Sequence, residues 1–337
     1  MKLKKIIAGA AILLTITASV FAAKAKKLNN TNGKIKVVTT IFPEYDWARE
    51  IIGDKANNVE LTLLLGNGVD LHSYQPSIQD IARISTADIF IYVGGESDGW
   101  VKDALKNATN KNMKVINLME TLGDKVKAEE VKEGMQAEEE EEGHHHHHHD
   151  AEHDDDDEVE YDEHVWLSLR NAKILSAEIA AALSEKDPAN ATSYKANLSA
   201  YSAKLDALDA KYAAAVKAGS KNTILFGDRF PFRYLVDDYG LDYFAAFVGC
   251  SAETEASFET VIFLAKKVDE LGLNSVLKIE TGDGKIARTI VQNTKNKNAR
   301  VLTLDSIQST TAKQAATGTT YLSIIEGNLK VLEEALR

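Results

Sequence analysis

The sequence alternates between short apolar segments and amphipathic segments, and this alternation is what most constrains the fold. Segments such as KIKVVTTI (34–41) and ADIFIYVGG (87–95) are short and rich in β-branched or aromatic residues, which is typical of buried strands. Segments with helical spacing follow them, as in the one that Pro43 opens. Strands that alternate with helices predict parallel sheets with helices on both faces. Because the chain contains two such sets, we predict an α/β fold with two lobes.

A long helical stretch separates the two sets. It begins near Pro188, is rich in Ala, Leu, Lys and Tyr, and meets no glycine before Gly219. At a rise of about 1.5 Å per residue such a helix would be roughly 45 Å long, which is more than one lobe needs. We therefore predict an N-terminal lobe at 33–187, a linking helix at 188–218 and a C-terminal lobe at 219–337. A single rigid helix between the lobes favours small lobe motions.

The N-terminal residues predict export. The start MKLKK is positively charged, the apolar run IIAGAAILLTITASVFA follows it, and the small residues of AAKA come next. This order is that of a secretory signal peptide, which we place at 1–25. No Cys follows the apolar run, so the sequence does not indicate a bacterial lipoprotein, and we expect a periplasmic or cell-surface protein. The only cysteine, Cys250, has no disulfide partner in the chain, so the core must stabilise the fold.

A run rich in acids and histidines interrupts the first lobe at about 128–161. From Glu129 to Glu163 there are 18 acidic residues and one base, a charge of −17 in a chain whose net charge is −12. The rest of the chain therefore carries +5, and no basic stripe interleaved with aromatics suggests a nucleic-acid partner. The run lacks periodicity and apolar residues, so it should not fold alone. Imidazoles among carboxylates attract divalent cations, and we expect weak metal ligands at His144, His145, His146, His147, His148, His149 and His153.

The two histidines outside this run fall in loops where a site would be built. Ligands of open parallel sheets bind beyond the carboxyl ends of the strands. His72 follows the LTLLL strand, His164 precedes the helix after the acidic run, and Asp305 follows the ARVLTL strand. Two imidazoles and a carboxylate form a ligand set that suits Zn²⁺ or Mn²⁺. We predict that His72, His164 and Asp305 bind one divalent ion.

These segments resemble the zinc- and manganese-binding receptors of bacterial ABC importers. The resemblance extends from about residue 36 to residue 336 and is carried by VVTTIFPEYDWAREIIGD, DLHSYQPSIQDIARISTADIFIYVGG, DEHVWLSLRNAKILSAEIAAAL and VLTLDSI. It implies two α/β lobes tied by one long helix, with one metal ion between them. It also implies that His72, His164 and Asp305 are ligands, and that a membrane permease with a cytoplasmic ATPase receives the ion. We expect the protein to act as a monomer.

The third ligand of this family is where the sequence departs from the pattern. The family has His or Glu at the start of a segment of the form His-Asp-Ala-Phe-x-Tyr, and the counterpart FGDRFPFRYLVDDYGL places Arg229 at that position. Arg cannot lose its proton and cannot bind a cation. Asp228 is our tentative replacement, although it could instead pair with Arg229. A water, Cys250 as a soft ligand, and three further acids stay open; these acids are Glu253, Glu255 and Glu280.

The function predicted from these features is that of an exported receptor, not an enzyme, which captures zinc between two lobes and delivers it to an ABC permease. The histidine run favours zinc because Mn²⁺ prefers oxygen ligands. A manganese-selective receptor of the same family, a surface adhesin or metal-storage protein, and a metallo-hydrolase are the alternatives; no HExxH motif supports the last. Binding needs neutral imidazoles, so we expect affinity to fall as the pH drops through about 6.5.

Overall fold

A computed structural model of the protein describes residues 33–136, 159–251 and 255–337. Two four-stranded sheets lie within these residues, and all neighbouring strands within a sheet are parallel. The first sheet contains β1 (Ile35–Thr39), β2 (Val59–Leu63), β3 (Ile89–Tyr92) and β4 (Lys114–Asn117). The second contains β5 (Thr223–Phe230), β6 (Asp242–Val248), β7 (Ser275–Lys278) and β8 (Arg300–Thr303).

Both sheets have the same strand order. The order is β2-β1-β3-β4 in the first sheet and β6-β5-β7-β8 in the second. In each sheet the first strand in the chain therefore lies between the second and the third. The register of β1 is fixed on both sides, because Val37 lies opposite Leu61 of β2 and Ile89 of β3. The predicted α/β fold with two lobes is confirmed. Open sheets of this kind bind ligands beyond the carboxyl ends of their strands, at the point where the strand order reverses. In each lobe this point lies between the first and the third strand.

The α-helices of the described residues connect these strands and cover the sheets. Ser77 caps the N-terminus of one of them, because its hydroxyl accepts a hydrogen bond from the backbone N–H of Asp80. They are α1 (Phe42–Ile52), α2 (Ile78–Ser85), α3 (Val101–Lys106), α4 (Leu118–Leu122), α5 (Leu169–Lys186), α6 (Ala191–Ala218), α7 (Arg233–Tyr239), α8 (Phe258–Leu271), α9 (Lys285–Asn293), α10 (Ala312–Ala316) and α11 (Tyr321–Ala335). None of these helices is both long and apolar enough for a membrane crossing.

Helix α6 is the long helix that the sequence predicts. It has 28 residues and follows a short turn at Pro188–Asn190. One stripe of it is buried, at Tyr201, Leu205, Leu208 and Tyr212, a spacing of three and four residues that keeps these side chains on one face. The stripe packs against helices of both lobes, among them α1 and α11. The partition at 33–187, 188–218 and 219–337 stays a prediction, and the signal peptide at 1–25 lies outside the described residues.

Buried hydrogen bonds join the two lobes behind the strand ends. The indole N–H of Trp166 donates to the carbonyl of Ser306 at 2.9 Å, and the Tyr321 hydroxyl donates to the carbonyl of Trp166 at 2.7 Å. The backbone N–H of Tyr321 also donates to the Asp46 carboxylate at 2.7 Å. Because these groups are buried, separating the lobes would leave polar atoms without partners. The contacts therefore favour the small lobe motions expected from the sequence.

Residues 126–136, which we call the bridging segment, leave the N-terminal lobe and lie along the C-terminal lobe. The backbone N–H of Lys127 donates to the Tyr234 hydroxyl at 3.1 Å, and that of Gln136 donates to the carbonyl of Ala246 at 2.9 Å. The chain returns at Tyr161, which pairs with Ala128 in an antiparallel bridge. Both ends of the acid- and histidine-rich run are thus fixed by the fold. The run itself, with His144–149 and His153, lies outside the described residues.

Candidate metal centre

Three loops, two after strands and one before a helix, position the side chains of the site. His72 lies in the turn Leu71–Ser73 that follows β2, where the Asp70 carboxylate accepts from the backbone N–H of His72 at 3.1 Å. His164 precedes the turn Val165–Leu167 that leads into α5, and the Asp162 carboxylate accepts from its backbone N–H at 2.8 Å. Cys250 comes shortly after β6 of the other lobe. An Asp two residues before each histidine therefore holds the backbone from which the imidazole projects.

These three loops bring two imidazoles and a thiol together between the lobes. The Nε2 atoms of His72 and His164 are 3.2 Å apart, and one ligand atom from each of His72, His164 and Cys250 lies within 4.8 Å of the others. Two nitrogens bound at about 2.0–2.1 Å to one tetrahedral zinc ion would lie about 3.3 Å apart. The two imidazoles therefore already have the separation that a single tetrahedral ion requires.

The other ring nitrogen of each histidine is held by a neighbouring side chain. His164 Nδ1 lies 2.9 Å from the Asp162 carboxylate, and His72 Nδ1 lies 2.8 Å from the Ser97 hydroxyl. Histidines that bind metals commonly have such a partner, which fixes the orientation of the ring and leaves Nε2 for the ion. Ser97 and Asp162 thus aim both Nε2 atoms at the same point.

Burial keeps His72 neutral. Its surroundings lower the pKa of His72 to about 3, first because burial disfavours the charged ring and then because His164 and Arg229 repel a proton, while Asp70 opposes them. A neutral imidazole is the form that binds a metal ion. The expectation that affinity falls as the pH drops through about 6.5 therefore does not apply to His72, whose protonation begins at a much lower pH.

Gly249, the residue before Cys250, leaves room for the Cys250 loop to lie close to His164. A Cβ at Gly249 would lie 3.1 and 3.2 Å from atoms of the His164 ring, so the absence of a side chain lets this loop approach the imidazole. Burial, followed by the charge of Glu129, raises the pKa of the Cys250 thiol well above its usual range. The thiol is therefore protonated near neutral pH, and binding of an ion would have to release that proton.

Arg229, at the position of the family's third ligand, lies on β5 and forms an ion pair. Its guanidinium donates to the Asp70 carboxylate at 2.7 Å, and the other Asp70 oxygen is 4.0 Å from His72 Nε2. The carboxylate of Asp228 accepts from the backbone N–H groups of Arg229 and Ile279, which turns it toward the end of β7. Among the described residues, Asp228 is not in the group of ligand atoms around the histidines.

Asp305 also stays outside that group of ligand atoms in the part of the chain that the structure describes. Its carboxylate accepts from the backbone N–H of Ile307 at 2.8 Å, and burial together with Glu280 raises the pKa of Asp305 to about 6. Glu280 accepts instead from Ser306 and Ser309. Glu255 lies 3.8 Å from Lys285, and Glu253 lies outside the described residues. Whether Asp305 or Asp228 binds the ion stays a prediction.

Gln308 reaches the site although sequence reasoning did not single it out. In the amide orientation that satisfies its neighbours, its nitrogen donates to the Asp70 carboxylate at 2.9 and 2.7 Å and its oxygen lies 2.9 Å from His164 Nε2. Ile307 before it has a φ of 65°, a left-handed conformation that is rare for a β-branched residue. A strained backbone of this kind often marks a functional loop, and here it precedes the residue whose amide meets the imidazole.

Comparison with known proteins gives the family and the fold. Residues 37–335 match the ZnuA family profile, described as zinc-uptake complex component A, periplasmic. The chain is 29% identical over 306 residues to the zinc-binding protein AdcA of Streptococcus pyogenes, and this match covers 89% of the chain and 56% of AdcA. It is 28% identical to the high-affinity zinc uptake system protein ZnuA of Bacillus subtilis, over 97% of the chain and 95% of ZnuA.

A solved structure agrees with both sequence matches. The Zn(II)-bound ZnuA-like domain of Streptococcus pneumoniae AdcA superposes with a TM-score of 0.67 and 26% identity, covering 90% of this chain and 99% of that domain. The chain thus spans only about half the length of the streptococcal AdcA proteins it matches, while it spans nearly all of the shorter relative. The profile match over most of the chain decides the family, which is one of binding proteins and not of enzymes. This chain belongs to the ZnuA family of zinc-uptake solute receptors.

Proposed function

We propose that this protein is an extracytoplasmic receptor that captures Zn²⁺ between its lobes, with His72, His164 and Cys250 as ligands. The observation that carries the proposal is the 3.2 Å separation of the two Nε2 atoms, with the thiol of the other lobe in the same group. The ion is the cargo of such a receptor. Because the ligands come from both lobes, a bound ion would hold the lobes together.

The chemistry of the donors supports zinc over manganese. Two imidazoles and a thiolate are borderline and soft ligands, which suit Zn²⁺, while Mn²⁺ prefers oxygen and binds most weakly in the divalent series. Four-coordinate zinc would need one more donor. The amide oxygen of Gln308, which lies 2.9 Å from His164 Nε2, or a water could supply it in the present geometry. Asp228 would have to give up a backbone hydrogen bond to bind the ion, since both of its oxygens accept one. Asp305 accepts a backbone hydrogen bond with one oxygen and lies outside the group of ligand atoms among the described residues.

The place of the receptor in transport follows from the family. We propose that the predicted signal peptide at 1–25 directs the chain out of the cytoplasm and that an ABC permease in the membrane receives the zinc ion. The S. pneumoniae relative is called a lipoprotein, whereas this sequence has no Cys directly after its apolar run. We propose a periplasmic or cell-surface location for this protein.

Equilibrium titration of the mature chain with zinc, in competition with a chelator of known affinity, tests this function. A structural zinc site of four ligands has a binding free energy of about 10–16 kcal/mol, so loss of one ligand should weaken binding roughly 100- to 1,000-fold. We expect this loss for His164→Ala and for Cys250→Ser. Asp305→Asn is the matched comparison, and in the present geometry it should change affinity little.

The titration distinguishes three possible results. If the mature chain binds no zinc more tightly than the chelator, or if His164→Ala and Cys250→Ser bind like the wild type, the proposed function is wrong. If Asp305→Asn weakens binding as much as the ligand variants do, the site includes the carboxylate predicted from the sequence. Manganese added in excess should not displace the zinc ion from the wild type.

We also propose that the histidine-rich run collects zinc at lower affinity for this site. Its test is deletion of residues 137–158, which leaves Gln136 and Tyr161 to keep their contacts with the fold. The shortened protein should retain one tightly bound zinc ion and lose the weaker ions. Loss of the tight ion would mean that the run, and not the pair of histidines at the strand ends, is the high-affinity site.

A further inference from the structure

A cavity lies directly beside the metal centre. It has a volume of about 320 Å³ and we call it the vestibule. It is lined by His72, Glu96, Ser97, Glu129, Glu160, Tyr161, Glu163 and Cys250. Two of the proposed zinc ligands, His72 and Cys250, thus belong to its wall. The vestibule therefore touches the site from the side on which Glu96, Glu160 and Tyr161 are exposed to solvent.

The charge of the vestibule has one sign. Four of the eight lining residues are glutamates, and none of the eight is Lys or Arg. Glu129 accepts from the backbone N–H of Cys250 at 3.1 Å, and one oxygen of Glu163 accepts from that of Ser97 at 2.8 Å. These contacts hold two carboxylates beside the thiol and the His72 ring. A cavity lined in this way favours a cation over any anion or neutral molecule.

Glu163 supplies a second and independent observation. Its side chain is only 3% exposed, and its other oxygen has no hydrogen-bond partner among the described residues. That oxygen lies 3.7 Å from His72 Nδ1, the ring nitrogen that does not face His164. A buried carboxylate oxygen without a donor is unfavourable unless a cation approaches it. Its position in the wall of the vestibule gives such a cation a place.

We infer that the vestibule is a transient binding site for a hydrated divalent cation, through which zinc passes between solvent and the histidine and thiol ligands. The inference rests on the proposed function, since it concerns the route to that site. Carboxylate oxygens hold a divalent ion together with part of its water shell and bind it weakly. The ion then exchanges oxygen ligands for His72 and Cys250, which share the same cavity wall. A weak site of this kind speeds exchange in both directions without adding to the final affinity.

Stopped-flow mixing of the mature chain with Zn²⁺ tests the inference, with tryptophan fluorescence as the signal. Trp166 is a suitable reporter because its ring centroid is 5.2 Å from that of His164. One variant, Glu96→Gln with Glu160→Gln, neutralises the exposed rim. A second, Glu163→Gln, neutralises the inner carboxylate. The matched control, Glu60→Gln with Glu120→Gln, removes two charges from exposed positions of the same lobe that do not line the vestibule.

We expect the rim variant and Glu163→Gln to slow zinc association and dissociation by about tenfold each. A focused negative field raises the association rate, and a weak intermediate site lowers the barrier in both directions. The equilibrium Kd of the rim variant should then stay within about threefold of the wild type, as is usual for charges at the rim of a site. The control should exchange like the wild type. Raising the salt concentration should slow the wild type more than the rim variant.

Two results would overturn the inference. Wild-type exchange rates in both vestibule variants would mean that zinc reaches the site by another route. A weakened Kd with an unchanged association rate would make these glutamates ordinary ligands or structural residues. Should Glu163→Gln fail to fold, as judged by its thermal unfolding, the rim variant decides alone. Failure of the proposed function is distinguishable, because the wild type itself would then show no tight zinc binding at equilibrium.

Discussion

The two lobes have the same strand order but prepare their ligands differently. The N-terminal lobe presents two imidazoles whose Nδ1 atoms already have partners, Asp162 and Ser97, and whose Nε2 atoms already face each other. The C-terminal lobe presents a thiol that still carries its proton and an arginine that is paired across the site with Asp70. One lobe is therefore ready for the ion, and the other must change its protonation when the ion arrives. The two lobes thus differ in the protonation state of the side chains that they bring to the ion.

The largest effect expected from residues outside the ligand set sharpens the comparison within the N-terminal lobe. Asp162→Asn removes the charged partner of His164 Nδ1 while keeping its size, and loss of such a partner typically weakens metal binding about 10- to 100-fold. Ser97→Ala should weaken zinc binding less, because Glu163 lies 3.7 Å from the same nitrogen of His72 and is able to accept from it. Zinc titration of both variants is the measurement. Equal losses would show that the two histidines are held equally, contrary to the geometry.

The next effect tests the protonated thiol of the C-terminal lobe. Since burial raises the pKa of Cys250 and lowers that of His72, the free site holds a proton on the thiol and none on the His72 ring near neutral pH. Binding then releases one proton from Cys250, so zinc affinity should rise about tenfold for each pH unit between roughly pH 6 and pH 8. Calorimetry in buffers of different ionisation enthalpy counts the protons. Cys250→Ser should reduce this count by one, and an unchanged count would place the proton elsewhere.

The smallest effect concerns Arg229. Its removal in Arg229→Ala takes a positive charge from beside the ion and frees Asp70, which lies 4.0 Å from His72 Nε2. We expect zinc affinity to rise by about three- to tenfold, because a like charge near a cation disfavours it, and the binding of Mn²⁺ to gain more, since a carboxylate oxygen becomes available. Competition between the two ions measures this. Arg229→Lys keeps the charge and should gain little; weaker binding by Arg229→Ala would mean that the ion pair is needed to position the site.

The sequence predicts the scaffold more completely than it predicts the site. Strands, helices and the long helix follow from periodicity and caps, which are local properties. His72 and His164 can be singled out as candidate ligands because they lie outside the acidic run. Cys250 was open as a ligand, but a lone cysteine has no spacing that tells a ligand from a buried residue. Gln308 depends on the left-handed backbone of Ile307, and the partner of Arg229 lies 159 residues away. Neither this backbone conformation nor this long-range ion pair is indicated by the residues near it in the sequence.

The bridging segment has a consequence for how this scaffold varies. Gln136 is fixed to the C-terminal lobe through Ala246, and Tyr161 is fixed beside Ala128, each by contacts that do not involve residues 137–158. We therefore expect insertions between these two anchors to leave both contacts in place. A fluorescent reporter inserted there would leave the side chains of the metal centre unchanged.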